Sequence, residues 1–280
     1  MPTLFVSEGK IIRKEIKDFL HNLSKKKKLK ILDIGASANP WLGELITDTI
    51  DIFPIKRNKI NSHVGDANLI STYEKFEDNE FDFVNCTHTL EDLRSPDIAI
   101  TEMKRIAKSG FIAVPNRHTE VSNLTKFSPF GSRFSLGGNH IGFAHHRWFF
   151  NNPSPNTLEA YAKWSGICGT ESIYEKLIKK IARFPILRRK YLSIITKFGA
   201  KSFGYHKWVK PEFIDVFKNE FSFIWVKDFK FSYFNNDFAG DGDPETFRLF
   251  NEFVSNDPVD VNNTLNSAFS ELEKTLNSSS

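Results

Sequence analysis

The stretch Lys30-Ile31-Leu32-Asp33-Ile34-Gly35-Ala36-Ser37-Ala38-Asn39 decides how the rest of the chain is read. A short apolar run, Ile31, Leu32 and Ile34, carries one carboxylate, Asp33, and breaks at Gly35. The turn that follows has almost no side-chain bulk, so its backbone N–H groups can approach a polar ligand. An ordinary strand followed by a tight turn fits this stretch equally well.

Working outward, Thr47 to Phe53 (T-D-T-I-D-I-F) reads as a second strand with Asp51 near its carboxyl end. An acid at that distance after a glycine turn is placed to accept both hydroxyls of a ribose. In Val64-Gly65-Asp66-Ala67-Asn68, Asp66 closes a third short run, where it can accept from an exocyclic amine such as adenine's. One such Asp is ordinarily a turn residue or a helix cap. Three acids at the ends of three successive strands form a pattern. Phe81 to His88 (F-D-F-V-N-C-T-H) gives a fourth strand with a polar end. Ser95 and Pro96 then open a helix, Gly110 punctuates its end, and Phe111-Ile112-Ala113-Val114 is a fifth strand stopped by Pro115. This alternation predicts a mostly parallel sheet that binds ligands at its strand carboxyl ends.

Together I-L-D-I-G-A-S-A-N-P, the D-I-F-P around Asp51, G-D-A-N, F-D-F-V-N-C-T-H-T-L-E-D-L and E-M-K-R-I-A-K-S-G-F-I-A-V-P-N resemble the successive motifs of class I S-adenosylmethionine-dependent methyltransferases. The likeness covers about residues 29–116, with a weaker echo at His146-Arg147-Trp148. It is nearest to small-molecule and glycan-associated members whose glycine loop ends in G-x-x-x-N-P. The resemblance implies an α/β, Rossmann-like class I methyltransferase fold, with a mostly parallel seven-stranded sheet, helices on both faces and a C-terminal cap. It implies S-adenosyl-L-methionine as cofactor. Gly35, Ala36, Ser37 and Asn39 would lie under its methionine part, and Asp33 would help fix the amino group. Asp51, with Ile52 beside it, would hold the ribose, while Asp66 and Ala67 would meet the adenine. Thr87 and His88 would line the wall facing the methyl group. Ser37 and Asn39 stand where the family's second and third loop glycines would be, and room remains for a short helix around Trp41 to Ile46.

A nicotinamide-dependent Rossmann enzyme is the nearest competitor. It would need G-x-G-x-x-G opening a longer helix. Here Gly35 is followed next by Gly43, and Asp33 precedes the turn. S-adenosylmethionine is therefore read over NAD.

The 280 residues suit one elaborated domain or a core with a smaller cap. The divisions expected are an N-terminal helix (1–28), the cofactor-binding core (29–120), an insertion or cap with basic amphipathic helices (121–220), a closing β-hairpin region (221–254) and a polar tail (255–280). Ile12, Ile16, Phe19, Leu20 and Leu23 have helical spacing. Lys25 to Lys28 reads as a solvated approach to the first strand, and a net charge of +4 is too modest to argue for nucleic acid. Two cysteines cannot build a disulfide framework, and neither a signal peptide nor a membrane-spanning apolar run is evident, so a cytoplasmic location is expected.

Beyond Asn116, residues 117–142 read as a long loop of the kind that serves as a lid. His140, His145 and His146 follow within seven residues. No spacing with Cys or a carboxylate marks a metal site, so these histidines read as substrate-facing or as satisfied at a surface. Residues 176–210 hold eleven Lys or Arg and no acid. They suit a cap over the site first, then peripheral contact with a membrane or an anionic substrate. Methyl transfer asks the protein to align an acceptor and exclude water; a hydroxyl acceptor also needs a base, for which His88 and His145 are the candidates. The reading is a methyltransferase, hence a transferase, acting on a small molecule or sugar, nucleotide- or lipid-linked sugars included. The sugar suggestion rests on family analogy. The alternatives are a catalytically silent module of the same fold and a peripheral membrane protein working through its basic helices.

Overall fold

The computed structural model describes residues 3–8, 11–36, 40–115, 146–154, 156–162, 220–234 and 261–278. Its strands are β1 (Thr3–Glu8), β2 (Ile31–Ile34), β3 (Asp48–Asp51), β4 (Asn61–Val64), β5 (Phe83–Thr87), β6 (Ser109–Pro115), β7 (Trp148–Ser154), β8 (Thr157–Ala162), β9 (Glu220–Val226) and β10 (Lys230–Phe234). The α-helices are α1 (Ile11–Ser24), α2 (Pro96–Ile106) and α3 (Val261–Asn277).

A seven-stranded sheet runs in the order β1-β9-β6-β5-β2-β3-β4. β2 to β6 pair in parallel, β9 is antiparallel to β6, and β1 is antiparallel to β9. The expected class of fold is present. The central strands are buried on both faces, which is why β2 and β5 read as nearly unbroken apolar runs. On one face α2, through Ile100, Met103 and Ile106, packs over Val84, Ile112 and Trp225. On the other, α1 and α3 bury Ile12, Ile16, Leu20, Leu265, Ala268 and Leu272 against Ile31, Phe83 and Ile224. Stacking of Phe19 on Phe269, with ring centroids 4.9 Å apart, joins the two helices.

Five local expectations are corrected. The first strand of the chain, β1, forms a sheet edge and was not anticipated from the preamble. Trp41 to Ile46 holds no α-helix, only a 3-10 turn over Gly43–Leu45. Gly110 lies inside β6, because a Cβ there would sit 2.6 Å from the Val84 carbonyl and 2.7 Å from Trp225 Nε1. α2 ends instead at Ile106. β9 and β10 form no hairpin with each other: β9 joins the large sheet, while β10 pairs in parallel with β8 in a separate β10-β8-β7 sheet. The chain swings between them through Lys227, at φ 69°, and an anchor in which Lys104 Nζ donates to the Phe229 carbonyl at 2.7 Å and pairs with Asp228 at 2.6 Å. Finally, the polar segment after Ser255 holds a 17-residue helix, α3, whose Leu265, Ala268, Leu272 and Leu276 repeat at helical spacing and are buried.

The lysine run is mostly exposed, as a solvated approach to the first strand implies, with Lys27 partly buried. Lys26 pairs with Glu273 at 3.4 Å, Lys27 donates to the Leu276 carbonyl at the end of α3, and Lys27 also lies 3.7 Å from Asp82. Cations at a helix carboxyl end complement its dipole. No described helix is long and apolar enough to cross a membrane. The expected basic helices at 176–210 lie outside the described residues.

Because α3 supplies buried leucines, Leu272→Ala should lower unfolding stability by about 2–5 kcal/mol, the range for a core Leu truncation. Denaturant unfolding that shows no loss would return the segment to a tail.

Candidate active site

The parallel register brings the carboxyl ends of β2, β3, β4 and β5 to one edge of the sheet, and the expected acids arrive with them. Asp33 lies opposite Thr49 on β3 and Asn85 on β5. Its side chain is buried, and Asn85 Nδ2 donates to its Oδ1 at 2.5 Å. Thr87 Oγ1 donates to Asn85 Oδ1 at 3.0 Å and accepts from Trp41 Nε1 at 3.2 Å. A directed chain of donors therefore runs from Trp41 through Thr87 and Asn85 to the Asp33 carboxylate. Burial pushes Asp33 up to about 7, against the lowering pull of Asn85 and then of Arg13.

Gly35 adopts φ +72°, a conformation that favours glycine. A Cβ on it would meet the Thr89 side chain at 2.0 Å, so its bareness makes room for Thr89 as well as permitting the turn. Its N–H is spent on the Ile50 carbonyl at 2.8 Å. Ala36 is buried directly after it. Ser37 and Asn39 lie outside the described residues.

Asp51, at the end of β3, accepts the Phe53 N–H on Oδ1 at 2.9 Å. Asp66 accepts both the backbone and side-chain N–H groups of Asn68 on Oδ1, at 2.9 and 2.7 Å. Each acid thus closes a small Asx turn with one oxygen. No hydrogen bond to the second oxygen of either acid occurs among the described residues. Ile52 is 61% exposed beside Asp51, an apolar surface at the strand end available to a flat ring. Ala67 is buried, and its carbonyl accepts the Tyr73 hydroxyl at 3.2 Å.

His88 follows β5 in a left-handed conformation, φ +52°, with its N–H on the Ala113 carbonyl at 2.8 Å. Its Nδ1 lies 3.1 Å from Glu91 Oε1 and its Nε2 2.9 Å from Glu220 Oε1. Burial would lower its affinity for a proton, but the bonds to Glu220 and then Glu91 outweigh that and raise it to about 9. Glu220 opens β9 and is also gripped by Arg13 of α1, with Nε donating to Oε2 at 2.6 Å. Arg13 in turn lies over the Trp41 ring, 5.7 Å from its centroid. His145 lies outside the described residues; His146 beside it has a buried side chain 4.0 Å from Asp92.

Sequence reasoning missed Asn85, Trp41, Arg13, Glu91 and Glu220. For Glu91 a signal existed in its spacing of three from His88. Glu220 and Arg13 meet across more than 200 positions of sequence, and nothing local announces such a pair.

Residues 39–114 match the family model described as "Methyltransferase domain". Among solved structures, the chain is similar to a SAM-dependent methyltransferase from Archaeoglobus fulgidus at 21% identity, covering 38% of this chain and 54% of that one, with a TM-score of 0.30. The methyltransferase CalH in complex with SAH matches at 15% identity over 37% of this chain and 36% of that one, TM-score 0.29. The YcgJ protein of Bacillus subtilis matches at 13% identity over 75% of this chain and 98% of that one, TM-score 0.37. The chain thus spans about half the length of the Archaeoglobus protein. No curated protein matches the sequence.

A buried carboxyl that keeps its proton up to about pH 7 ties stability to pH. Folding raises the Asp33 pKa above its unfolded value, so the unfolded state releases this proton first. Stability should fall as pH rises from about 4 to about 7, the window between the unfolded and folded values. Asp33→Asn should remove that part of the slope in denaturant unfolding measured across the window. An unchanged slope would mean that Asp33 is not the titrating group.

Proposed function

We propose that this chain, whose core belongs to the methyltransferase domain family, transfers the methyl group of S-adenosylmethionine to a small molecule or a sugar. The observation that carries the reading is the row of Asp33, Asp51 and Asp66 at the carboxyl ends of adjacent parallel strands, two of them with an oxygen free of hydrogen bonds among the described residues. The cofactor supplies a methyl group already activated on a sulfonium.

The protein's own tasks are binding, orientation and water exclusion. In this reading Asp33 receives the ammonium of the methionine part. Gly35 and Ala36 lie beneath it, and the family resemblance assigns Ser37 and Asn39 to the same part of the cofactor. Asp51 accepts from the ribose hydroxyls through its free oxygen, and Ile52 covers one side of the heterocycle. Asp66 accepts the exocyclic amine beside Ala67. Thr87 and His88 form the wall on the methyl side. Both ring nitrogens of His88 face carboxyl groups, which sets it apart from a free base. A hydroxyl acceptor would therefore rely on His145, and an acceptor with its own low pKa would need no base. The sugar class comes from the family resemblance of the G-x-x-x-N-P loop, and a cytoplasmic location from the composition.

Asp51→Ala should weaken S-adenosylhomocysteine binding by about 1.5–3 kcal/mol, as for a lost hydrogen bond to a charged group. Calorimetry that shows unchanged affinity would remove the ribose assignment. A cation seated on Asp33 should also displace its proton, so binding at pH 7 should release protons. Titrations in buffers of different ionisation enthalpy would then give different apparent heats. Identical heats would separate Asp33 from the ammonium.

A further inference from the structure

His88 stands at the centre of a chain of charges drawn from three separate parts of the fold. Glu91 comes from the turn after β5, Glu220 from the first residue of β9, and Arg13 from α1 behind Glu220. A neutral imidazole has one N–H and one lone pair. A lone pair facing a carboxylate oxygen at about 3 Å is repulsive, so carboxylates at 3.1 and 2.9 Å on both nitrogens require a proton on each. The two side chains that enforce this are themselves buried, at 1% exposure for Glu91 and 8% for Glu220, whereas the His88 ring is 43% exposed. Glu220 is committed further: both of its oxygens face Arg13, at 2.6 Å from Nε and 2.5 Å from Nη2. Arg13 also covers Trp41, whose indole N–H holds Thr87, and Thr87 holds Asn85. The charged chain and the donor chain to Asp33 are thus joined at Arg13 and Trp41.

We infer that His88 is a positioning residue, the charged centre of an Arg13–Glu220–His88–Glu91 clasp that pins α1 and the start of β9 to the wall carrying Thr87 and Asn85, and that it does not take the acceptor's proton. Two further features accompany the clasp. His88 sits in a left-handed backbone conformation that costs energy for a residue with a Cβ, and such strain persists where surrounding contacts over-determine it. The clasp also spans 207 positions between Arg13 and Glu220, a side-chain tie added beside the strand pairings that set Glu8 opposite Phe221 and Pro115 opposite Glu220. The groups facing His88 are Glu91 from its own turn and Glu220 from β9, with Arg13 behind Glu220 and Asp33 beyond Arg13.

The cofactor arm of the test rests on the methyltransferase reading, and the ring arm is independent of it. The ring nitrogens of His88 are followed by NMR on the whole protein, with the resonances assigned by their loss in His88→Gln. Both nitrogens should carry protons at pH 7 and titrate near pH 9. Glu220→Gln should bring the midpoint back toward the ordinary histidine value of about 6.5. The same variant should weaken S-adenosylhomocysteine binding at least about fivefold, the lower end for coupling between linked groups. A wild-type ring that is singly protonated at pH 7, or a midpoint unmoved in Glu220→Gln, would overturn the inference without reference to any variant's activity. Wild-type protein that binds no S-adenosylhomocysteine would sink the methyltransferase reading and leave the ring result standing.

Discussion

The hydrogen bond from Asn85 to Asp33 is the contact on which the site depends. It joins residues directly opposite in the register of two neighbouring parallel strands, β2 and β5, at the centre of the sheet. A carboxyl buried there without a partner would be costly; with one donor it is retained, and its proton becomes responsive near neutral pH. Slipping either strand by one residue would turn Asp33 or Asn85 to the opposite face and break the pair. The register that builds the apolar core is therefore the same one that sets this acid at the ligand edge.

From that centre the site extends in two directions with different physics. Toward β3 and β4, Asp51 and Asp66 use one oxygen each to shape their own turns, and the other makes no hydrogen bond among the described residues. The turn reading of these acids accounts for one oxygen apiece, and the ligand role proposed above concerns the other. Toward β6 and β9 the polar groups are tied to one another by charge, with Glu220 held low by His88 and Arg13 in spite of its burial. The first side is held by turn bonds, the second by ion pairs.

Much of this was legible in the sequence because it is local. Strand period, strand-end acids and the Ser95-Pro96 helix start are short-range signals, and β2 to β6 follow from them, although Ser95 makes no side-chain cap bond. What was not legible depends on distance. β1 carries Leu4-Phe5-Val6, an apolar run that could have been read as a strand, but its edge position is set by pairing with β9 more than 200 residues on. α3 hides in a polar stretch because its buried positions, Leu265, Ala268, Leu272, Thr275 and Leu276 with Phe269 packed beside them, form a stripe diluted by Asn and Ser. Gly110 looked like a helix stop because glycine often is one; its place inside β6 reflects the close approach of Trp225, which the sequence does not announce. Arg13 and Glu220 belong to the same class of long-range pairs.

The central claim is that the acids at the strand ends hold S-adenosylmethionine. Calorimetric titration of the whole protein with S-adenosylmethionine, S-adenosylhomocysteine and NAD tests it most directly. Saturable binding of the first two and none of NAD is the predicted result; binding of NAD alone, or of none of the three, would contradict it.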